Sequence, residues 1–357
     1  MTKSSRHASL KEYLVNSIVG EMLESSAAGK DEIPSEHQLC ERFNVSRNTV
    51  RRALLAISEQ GFIESRHGSG WKIVRKSDGK LKKMAVIGNA EMPIVGQTGR
   101  EILKLSLNSA FACEFIPLNV QRLDTFKGNM NLSGLSGMIV LSGTSMHENL
   151  VCELRTGKIP YIYGFYCGCE GGFSSVSVDH GECVRSLFRK MQASGNRRIA
   201  FFNRDIPADP SFKTRADTYL RTCMETGSQN LLLTVEEDFW MHDRKIENTL
   251  DFIRVSGVDS IICTTLMVAS ELVYILARNS IRVPQNLSVA GIGNDYYFPQ
   301  FVRHAGLSGI TRMEFNLKII AKKLFEMIAG TINGADTSEG ITLTEPKFVD
   351  DGTIDKK

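Results

Sequence analysis

The chain has 357 residues, of which 42% are hydrophobic and 23% are charged, and its net charge is +3. This length predicts two or three domains, and the composition is typical of globular proteins with an apolar core. The sequence lacks the run of about 18–20 apolar residues that a membrane span requires, and its first residues lack the apolar core of a signal peptide. We therefore expect a cytoplasmic protein without a membrane segment.

Basic residues are concentrated in the first quarter of the chain. Residues 42–83 contain 11 basic and three acidic residues, a net charge of +8, whereas the whole chain carries only +3. A compact basic segment on a nearly neutral chain is typical of a surface that binds nucleic-acid phosphates. Charge alone also fits a solvated surface without a partner, so the local pattern must decide.

Two short helices are predicted between residues 34 and 60. Ser35 and Gln38 have the spacing of a capping box, which starts the first helix. The sequence "FNVS" predicts a tight turn, after which Ser46 can cap the second helix. The second helix has one apolar and one polar face at helical spacing. The apolar face consists of Val50, Ala53, Leu54 and Ile57. The polar face consists of Arg47, Asn48, Arg51 and Arg52.

An apolar face that docks on the domain and an opposite face rich in guanidinium groups are what a DNA recognition helix requires. Arginine can bind guanine and asparagine can bind adenine through paired hydrogen bonds in the major groove, while Ser46 and Thr49 can bind phosphate. The sequence "FIESRHGSGWKIV" then predicts two strands with a turn at residues 67–70. The glycines of this turn allow the hairpin tip to approach a DNA backbone closely.

The order of these elements resembles the winged-helix domain of the gluconate-repressor (GntR) family. The family pattern is matched by Pro34-Ser35-Glu36, Leu39, Val45 to Arg51, Ala53-Leu54, Gly61, Gly68, Gly70 and Ile73. The resemblance implies DNA contacts from Ser35, His37, Ser46, Arg47, Asn48, Thr49, Arg51, His67 and Gly68. His37 departs from the family, which usually has arginine there, so we expect this phosphate contact to be weaker or pH-dependent.

From residue 84 onward, short apolar runs alternate with helical patterns. Strands are predicted at 84–88, 113–118, 137–143, 160–164, 174–179, 198–203, 231–235, 260–265 and 287–293. Helices are predicted at 98–108, 181–194, 212–226, 243–256, 267–279 and 314–330. Apolar strands separated by amphipathic helices favour parallel sheets covered on both faces. We therefore predict an α/β protein, with a winged helix-turn-helix domain over 1–75, a linker over 76–83, and a two-lobed effector-binding and dimerisation domain over 84–357.

Residues 84–350 resemble the periplasmic-binding-protein-like core of lactose- and galactose-type repressors. The clearest match runs from Val176 to Phe201, and weaker matches lie around Arg215, at 258–261, at 283–291 and at 307–310. The resemblance implies two αβα lobes, with a ligand between them at the carboxyl ends of the strands. It also implies that this ligand is a sugar or a sugar derivative.

Polar residues end most of the predicted strands. Arginine, aspartate and asparagine supply the paired donors and acceptors that sugar hydroxyls need. The predicted effector contacts are Asn89, Asp179, Asn203, Asp205, Arg215, Thr265 and Asn294. The resemblance implies that the Arg215 guanidinium donates paired hydrogen bonds to ligand hydroxyls. For each residue, an ordinary polar strand end is the alternative.

Two family positions are changed: Thr265-Leu266 replaces an Asn-Asp pair, and Gly293 replaces the usual ligand aspartate. With these changes, three classes of ligand remain possible: a different sugar, a larger or phosphorylated saccharide, and a compound that is not a sugar.

The eight cysteines, at positions 40, 113, 152, 167, 169, 183, 223 and 263, lie mostly in apolar runs. They predict buried thiols of a reducing compartment rather than disulfides. Cys167, Cys169, His180 and Cys183 fit no standard zinc spacing, so we expect neither a metal nor a cofactor. The motifs of a nucleophile elbow or of paired catalytic carboxylates are not evident in the sequence.

Together these patterns predict a ligand-responsive repressor of carbohydrate-utilisation genes that is not an enzyme. We expect a homodimer that binds the two half-sites of a double-stranded operator and is released by its ligand. Activation or co-repression is the open alternative for the ligand's effect. The alternative function is a sugar-binding receptor or an enzyme with an incidental helical head. Turnover separates these functions, because a regulator leaves its ligand unchanged.

Overall fold

The computed structural model describes two compact units. The described residues are 18, 33–59, 63–66, 70–73, 82–89, 92–107, 109–118, 132–146, 148–168, 173–204, 206–235, 239–294, 299–335 and 339–355. The first unit comprises the described parts of Met1–Ser142, Met146–Gly164 and Leu317–Glu339. The second comprises those of Gly143–Ser145, Phe165–Asn316 and Gly340–Lys357.

Helices and strands alternate along most of the described chain. The helices are α1 (Glu36–Phe43), α2 (Arg47–Glu59), α3 (Pro93–Leu107), α4 (Glu148–Thr156), α5 (His180–Ala193), α6 (Pro210–Thr226), α7 (Asp243–Val255), α8 (Leu266–Arg278), α9 (Pro299–His304) and α10 (Leu317–Ile332). The strands are β1 (Ile63–Arg66), β2 (Gly70–Ile73), β3 (Lys82–Gly88), β4 (Phe111–Pro117), β5 (Leu135–Leu141), β6 (Tyr161–Gly164), β7 (Ser174–Val178), β8 (Ile199–Asn203), β9 (Leu232–Thr234), β10 (Ser260–Cys263), β11 (Ser288–Ile292), β12 (Thr311–Glu314), β13 (Gly340–Thr344) and β14 (Lys347–Val349).

The helix-turn-helix forms as the sequence predicts. The backbone N–H of Gln38 donates to Ser35 Oγ at 3.3 Å, and the backbone N–H of Ser35 donates to Gln38 Oε1 at 2.8 Å, which confirms the capping box at the start of α1. Asn44 turns the chain in the left-handed region, at φ 49°. The backbone N–H of Thr49 donates to Ser46 Oγ, so Ser46 caps α2.

The two faces of α2 are also confirmed. Its apolar face is fully buried, and its basic face is exposed. The buried residues are Val50, Ala53, Leu54 and Ile57, and the exposed residues are Arg47, Asn48, Arg51 and Arg52. Strands β1 and β2 pair antiparallel, with Ile63 opposite Ile73, as the wing requires. The tip of this hairpin, with the predicted contacts His67 and Gly68, lies outside the described residues.

In the rest of the first unit, β6, β5, β3 and β4 lie side by side in that order, all parallel. Helices α3 and α10 pack against each other and against this sheet. Residues 84–87 of β3 are fully buried, as expected for a central parallel strand covered on both faces. The strand begins at Lys82, so two residues of the predicted linker belong to the sheet. Lys82 is anchored there because its Nζ donates to Asn333 Oδ1 at 2.8 Å.

The second unit contains a six-stranded sheet in the order β14-β12-β11-β10-β8-β9. Its strands are parallel except for β14, which runs antiparallel to β12. Tyr219 of α6 is fully buried against this sheet. Its hydroxyl donates to the Ile199 carbonyl at 2.8 Å and accepts from the Leu231 N–H at 2.9 Å, which ties α6 to the edges of β8 and β9. Strand β7 pairs in parallel with β13.

The nine predicted strands and six predicted helices of this region are all present. The strand bounds differ by no more than two residues from the predicted ones. Helices α4 and α9 and strands β12, β13 and β14 were not predicted, because they are short or carry polar residues on exposed faces. None of the described helices is long and apolar enough to cross a membrane.

Four described cysteines, Cys113, Cys183, Cys223 and Cys263, are buried free thiols, as predicted. The expectation of burial is wrong for Cys152, which is exposed, and for Cys40 and Cys167, which are half-buried. Cys40 and Cys152 lie on the short helices α1 and α4, which consist mostly of polar residues, so these two side chains are not part of an apolar core.

Candidate nucleic-acid interface and effector site

The start of α2 presents the predicted DNA contacts on one exposed face. Arg47, Asn48 and Arg51 all project from the first turns of this helix, opposite its buried side. The hydroxyls of Ser46 and Thr49 lie 2.7 Å apart at the helix N-terminus. A helix N-terminus with hydroxyls and unpaired backbone N–H groups favours phosphate, and the arginines favour guanine or phosphate. The arrangement can therefore read a major groove.

A carboxylate lies within this basic face. Arg47 Nε donates to Glu36 Oε2 at 2.8 Å, and the Glu36 side chain is only 17% exposed, whereas that of Arg47 is 77% exposed. The hydrogen bond from Arg47 lowers the pKa of Glu36, against the opposing effect of partial burial. A hydrogen bond from the Trp71 indole and the Arg51 charge lower this pKa further. Glu36 is therefore ionised at neutral pH and connects α1 with α2 and β2.

A groove of about 800 Å³ runs along this face. It is lined by Ser35, Glu36, His37, Cys40, Glu41, Arg47, Arg51, Ser65, Gly70 and Trp71. His37 is exposed, and its Nδ1 lies 3.5 Å from Glu41 Oε2. The helix-turn-helix and the wing strands thus line the same groove.

A second polar cluster surrounds Arg215 in the second unit. Arg215, on α6, is only 5% exposed. Its Nη1 donates to the Thr264 carbonyl at 2.6 Å, and its Nε and Nη2 lie 3.2 and 3.0 Å from His180 Nδ1. The rings of Phe212 and Phe315 lie 5.4 and 5.9 Å from the guanidinium carbon, within cation–π range. These contacts hold the guanidinium rigidly at the ends of the strands.

His180 is neutral in this cluster. Its Nδ1 faces two guanidinium nitrogens, which can only donate, so Nδ1 accepts and Nε2 carries the proton. Nε2 is 3.4 Å from Ser177 Oγ, which can accept that proton. Burial, and then the Arg215 charge, lower the pKa of His180 well below its ordinary value of 6.5. Burial likewise raises the pKa of the neighbouring Cys183 thiol to about 12, so this cysteine is also neutral.

Two polar atoms at the ends of neighbouring strands are buried without a hydrogen-bond partner among the described residues. They are Asn203 Oδ1 and Thr264 Oγ1. Asn203 ends β8 and Thr264 follows β10, and these strands are neighbours, with Cys263 opposite Phe202. Leaving a buried polar atom unpaired costs about 1–3 kcal/mol, so such atoms are expected where a ligand supplies the missing bonds.

Three other predicted effector contacts have structural roles. Asp179 caps α5, since its Oδ1 accepts from the Glu182 N–H at 2.7 Å, and Thr265 caps α8 by accepting from the Val268 N–H at 3.2 Å. The Asn294 amide bonds both backbone groups of Phe315, at 2.8 and 2.9 Å, which fixes the ring beside Arg215.

Asn89 follows β3 in the first unit, where its carbonyl accepts from the Met92 N–H at 3.1 Å. Asp205 lies outside the described residues. Within the predicted set, Asn203 ends the strand next to the one that Thr264 follows, and the Thr264 carbonyl accepts from Arg215.

Sequence reasoning missed the roles of Glu36, Trp71 and His180. Glu36 belongs to the matched family pattern, but its bond to Arg47 joins residues 11 positions apart and depends on the packing of α1 on α2. The sequence pattern relates His180 only to the nearby cysteines, as a possible metal ligand. The described residues contain no group of three histidine, cysteine, aspartate or glutamate side chains arranged to bind a metal ion.

Comparison with known proteins agrees with both halves of this description. Residues 10–73 match the family model of bacterial regulatory proteins of the gntR family. Residues 188–353 match the model of the periplasmic binding protein-like domain. The chain joins a GntR-type DNA-binding domain to a periplasmic-binding-protein-like domain. This is the combination that the sequence resemblance implied.

Similar proteins extend the comparison over most of the chain. An arabinose metabolism transcriptional repressor from Geobacillus stearothermophilus is 22% identical over 320 residues, which cover 82% of this chain and 83% of the relative. Among solved structures, a LacI family transcriptional regulator from Enterococcus faecium with bound ribose has a TM-score of 0.62 at 14% identity, over 77% of this chain and all of the other. The transcription regulator CcpA of Lactococcus lactis has a TM-score of 0.61 at 14% identity, over 76% of this chain and 99% of the other.

The buried, neutral His180 should make the second unit less stable in acid. The unfolded side chain binds a proton below pH 6.5, whereas the folded one does not. This group's contribution is therefore complete above pH 6.5 and decreases by about 1.4 kcal/mol for each pH unit below it. Urea unfolding between pH 7.5 and 5 measures this slope.

The His180→Asn variant supplies the control, because an asparagine Oδ1 can still accept from Arg215 but does not titrate. Other groups contribute equally to both proteins, so the difference between the two slopes isolates His180. Parallel pH profiles for the wild type and the variant would contradict the assignment of a neutral His180.

Proposed function

We propose that the protein is a ligand-responsive transcription regulator that represses carbohydrate-utilisation genes and is released from its operator by a sugar or sugar derivative. One observation carries the proposal: a single chain holds an exposed DNA-reading face and a buried polar cluster with unfilled hydrogen-bonding capacity. The match to arabinose metabolism repressors over 82% of the chain supports the assignment of both features to one regulator.

Operator binding would use the exposed face of α2. Arg47, Asn48 and Arg51 would read base edges in the major groove, while Ser46, Thr49 and the helix N-terminus would bind phosphate. The wing strands, which line the same groove through Ser65 and Trp71, would follow the backbone. Phosphate contacts of this kind make affinity fall steeply with salt.

Effector binding would use the cluster around Arg215. The three bonds described leave each terminal nitrogen of its guanidinium with a further N–H, which together form a two-pronged donor. Asn203 Oδ1 needs a donor, and Thr264 Oγ1 can donate or accept. A hydroxyl-rich ligand meets all of these requirements. The ribose bound to the similar Enterococcus faecium regulator supports the sugar class.

Regulation follows if ligand and operator favour different states of the chain. Ligand binding then weakens operator binding, and the operator weakens ligand binding by the same factor. We further propose that the protein is a cytoplasmic homodimer, because two-fold symmetric operators match two copies of one DNA-binding domain. We propose no enzymatic activity, so the ligand is recovered unchanged after incubation with the protein.

Arg47→Ala and Arg51→Ala should each weaken operator binding by about 1–3 kcal/mol, because each removes a base or phosphate contact. The operator probe is the duplex that the wild-type protein selects from a randomised library, and fluorescence anisotropy measures its dissociation constant. Arg254→Ala is the matched control, since Arg254 is 75% exposed on α7 in the second unit. Unchanged affinity in both α2 variants would remove α2 from the DNA interface.

Thr264→Val should leave the free protein equally or more stable and yet impair its response to ligand. The substitution keeps the side-chain shape and deletes a buried hydroxyl that has no described partner. Thermal shift across pentoses, hexoses, disaccharides and sugar phosphates identifies a ligand for the wild type, because ligand binding raises the melting temperature. The variant should then require at least about tenfold more of that ligand, as expected for one lost hydrogen bond of about 1.4 kcal/mol.

Thr98→Val is the matched control for this experiment. Thr98 Oγ1 is also buried without a described partner, but it lies on α3 in the first unit, whereas the Arg215 cluster belongs to the second unit. This variant should keep the ligand response of the wild type. Equal ligand affinity in the wild type and Thr264→Val would exclude Thr264 from the effector site.

A further inference from the structure

A half-buried carboxylate, Glu36 of α1, lies against the basic face of α2. A carboxylate there repels phosphates, and the Glu36 side chain is mostly withdrawn from solvent beside the exposed Arg47 guanidinium. A residue that only caps or solubilises a helix does not need this position, since Ser35 and Gln38 already complete the cap of α1. The contacts of Glu36 therefore need a separate explanation.

The bond between Glu36 and Arg47 involves only one edge of the guanidinium. The donor is Nε, at 2.8 Å, so the two terminal nitrogens remain outside this bond. These terminal nitrogens form the end-on fork that matches O6 and N7 of guanine. A carboxylate that fixes Nε thus orients the fork while leaving it available. It also neutralises the charge that Arg47 would otherwise offer to any phosphate.

The same carboxylate reaches the wing. Trp71 lies close enough to Glu36 for its indole N–H to lower the pKa of that carboxylate, and both side chains line the groove together with Arg47 and Arg51. Glu36 therefore contacts the two elements that would hold DNA between them, the recognition helix and strand β2. Its removal would release Arg47 and loosen the wing at once.

We infer that Glu36 is a specificity-determining residue that positions Arg47 for a base edge and withholds it from DNA phosphates. This inference rests on the proposed DNA-binding function. On an operator, the guanine edge accepts hydrogen bonds from the two oriented terminal nitrogens of Arg47. The free energy of these bonds compensates for the repulsion between the Glu36 carboxylate and the DNA phosphates. On unrelated DNA no base edge matches, so the Glu36–Arg47 pair persists and the carboxylate disfavours the complex.

The test compares operator with unrelated DNA in four proteins. The probes are the selected duplex described above and a scrambled duplex of the same length, and the measured quantity is the ratio of their dissociation constants. In Glu36→Ala this specificity ratio should fall about tenfold, the order of discrimination that one bidentate arginine–guanine pair supplies. The loss should come mainly from tighter binding to scrambled DNA, whose logarithmic salt slope should steepen by about one as Arg47 becomes free to neutralise a phosphate.

Two further proteins separate positioning from bulk charge. Glu36→Gln keeps an oxygen acceptor for Arg47 Nε, so it should retain more of the specificity ratio than Glu36→Ala. Glu41→Ala removes an equal charge from the same helix and the same groove, but Glu41 lies beside His37 rather than Arg47. It should tighten both complexes by the same factor and leave the ratio unchanged.

A double-mutant cycle with Arg47→Ala decides whether Glu36 acts through Arg47. In the Arg47→Ala background, neither Glu36→Ala nor Glu36→Gln should change the specificity ratio further. The inference would be overturned if the single Glu36 variants left the specificity ratio unchanged. It would also be overturned if Glu36→Ala lowered this ratio equally in the wild-type and Arg47→Ala backgrounds. If Glu36→Ala fails to fold, as judged by circular dichroism, the Glu36→Gln arm of the cycle gives the same decision. A wild-type protein that selects no duplex would instead refute the proposed function.

Discussion

The effector half depends on one constraint, the burial of the Arg215 guanidinium. A charge taken out of water must be hydrogen-bonded, and Arg215 meets this requirement with a carbonyl and with the ring nitrogen of His180. This demand explains several surrounding features. His180 must be neutral, Phe315 must be fixed in place by Asn294, and α6 must be tied firmly to the sheet by Tyr219. The result is a rigid donor fork at the end of the central strands.

The strand ends beside Arg215 show how the same fold can be stable and still keep an open site. Most buried polar groups nearby are satisfied within the protein, including the two helix caps formed by Asp179 and Thr265. Among the described residues, Asn203 Oδ1 and Thr264 Oγ1 are two exceptions. Their unmet hydrogen bonds reduce the stability of the free protein by about 1–3 kcal/mol each, which a ligand can restore. Ligand affinity and protein stability are thus linked through the same atoms.

The sequence predicts the elements of this fold well because parallel strands are continuous apolar runs. The central strands β3, β8 and β10 are unbroken buried segments, and each was placed within two residues. Periodicity also identified the buried and exposed faces of α2. Periodicity cannot find an edge strand such as β13, whose Ile341 and Leu343 face solvent. Nor can it find a bond such as Glu36–Arg47, which depends on how two helices pack.

The candidate site was predicted less completely than the fold, because polar strand ends have several uses. Asp179, Thr265 and Asn294 all end strands or follow them, yet each is committed to backbone hydrogen bonds. Only the three-dimensional contacts separate these structural residues from Arg215 and Asn203. Conversely, the contact that orients Arg215 comes from His180, which the sequence pattern alone associated with thiols.

The central claim is that one chain binds both an operator and a small ligand, and that the binding of each weakens the binding of the other. Calorimetric titration of the ligand found by thermal shift, into the free protein and into its complex with the selected duplex, tests this claim most directly. The account predicts weaker ligand binding to the complex, by the same factor by which the ligand weakens operator binding. Equal ligand affinity for the free protein and the complex would contradict the coupling, and tighter binding to the complex would contradict release by ligand.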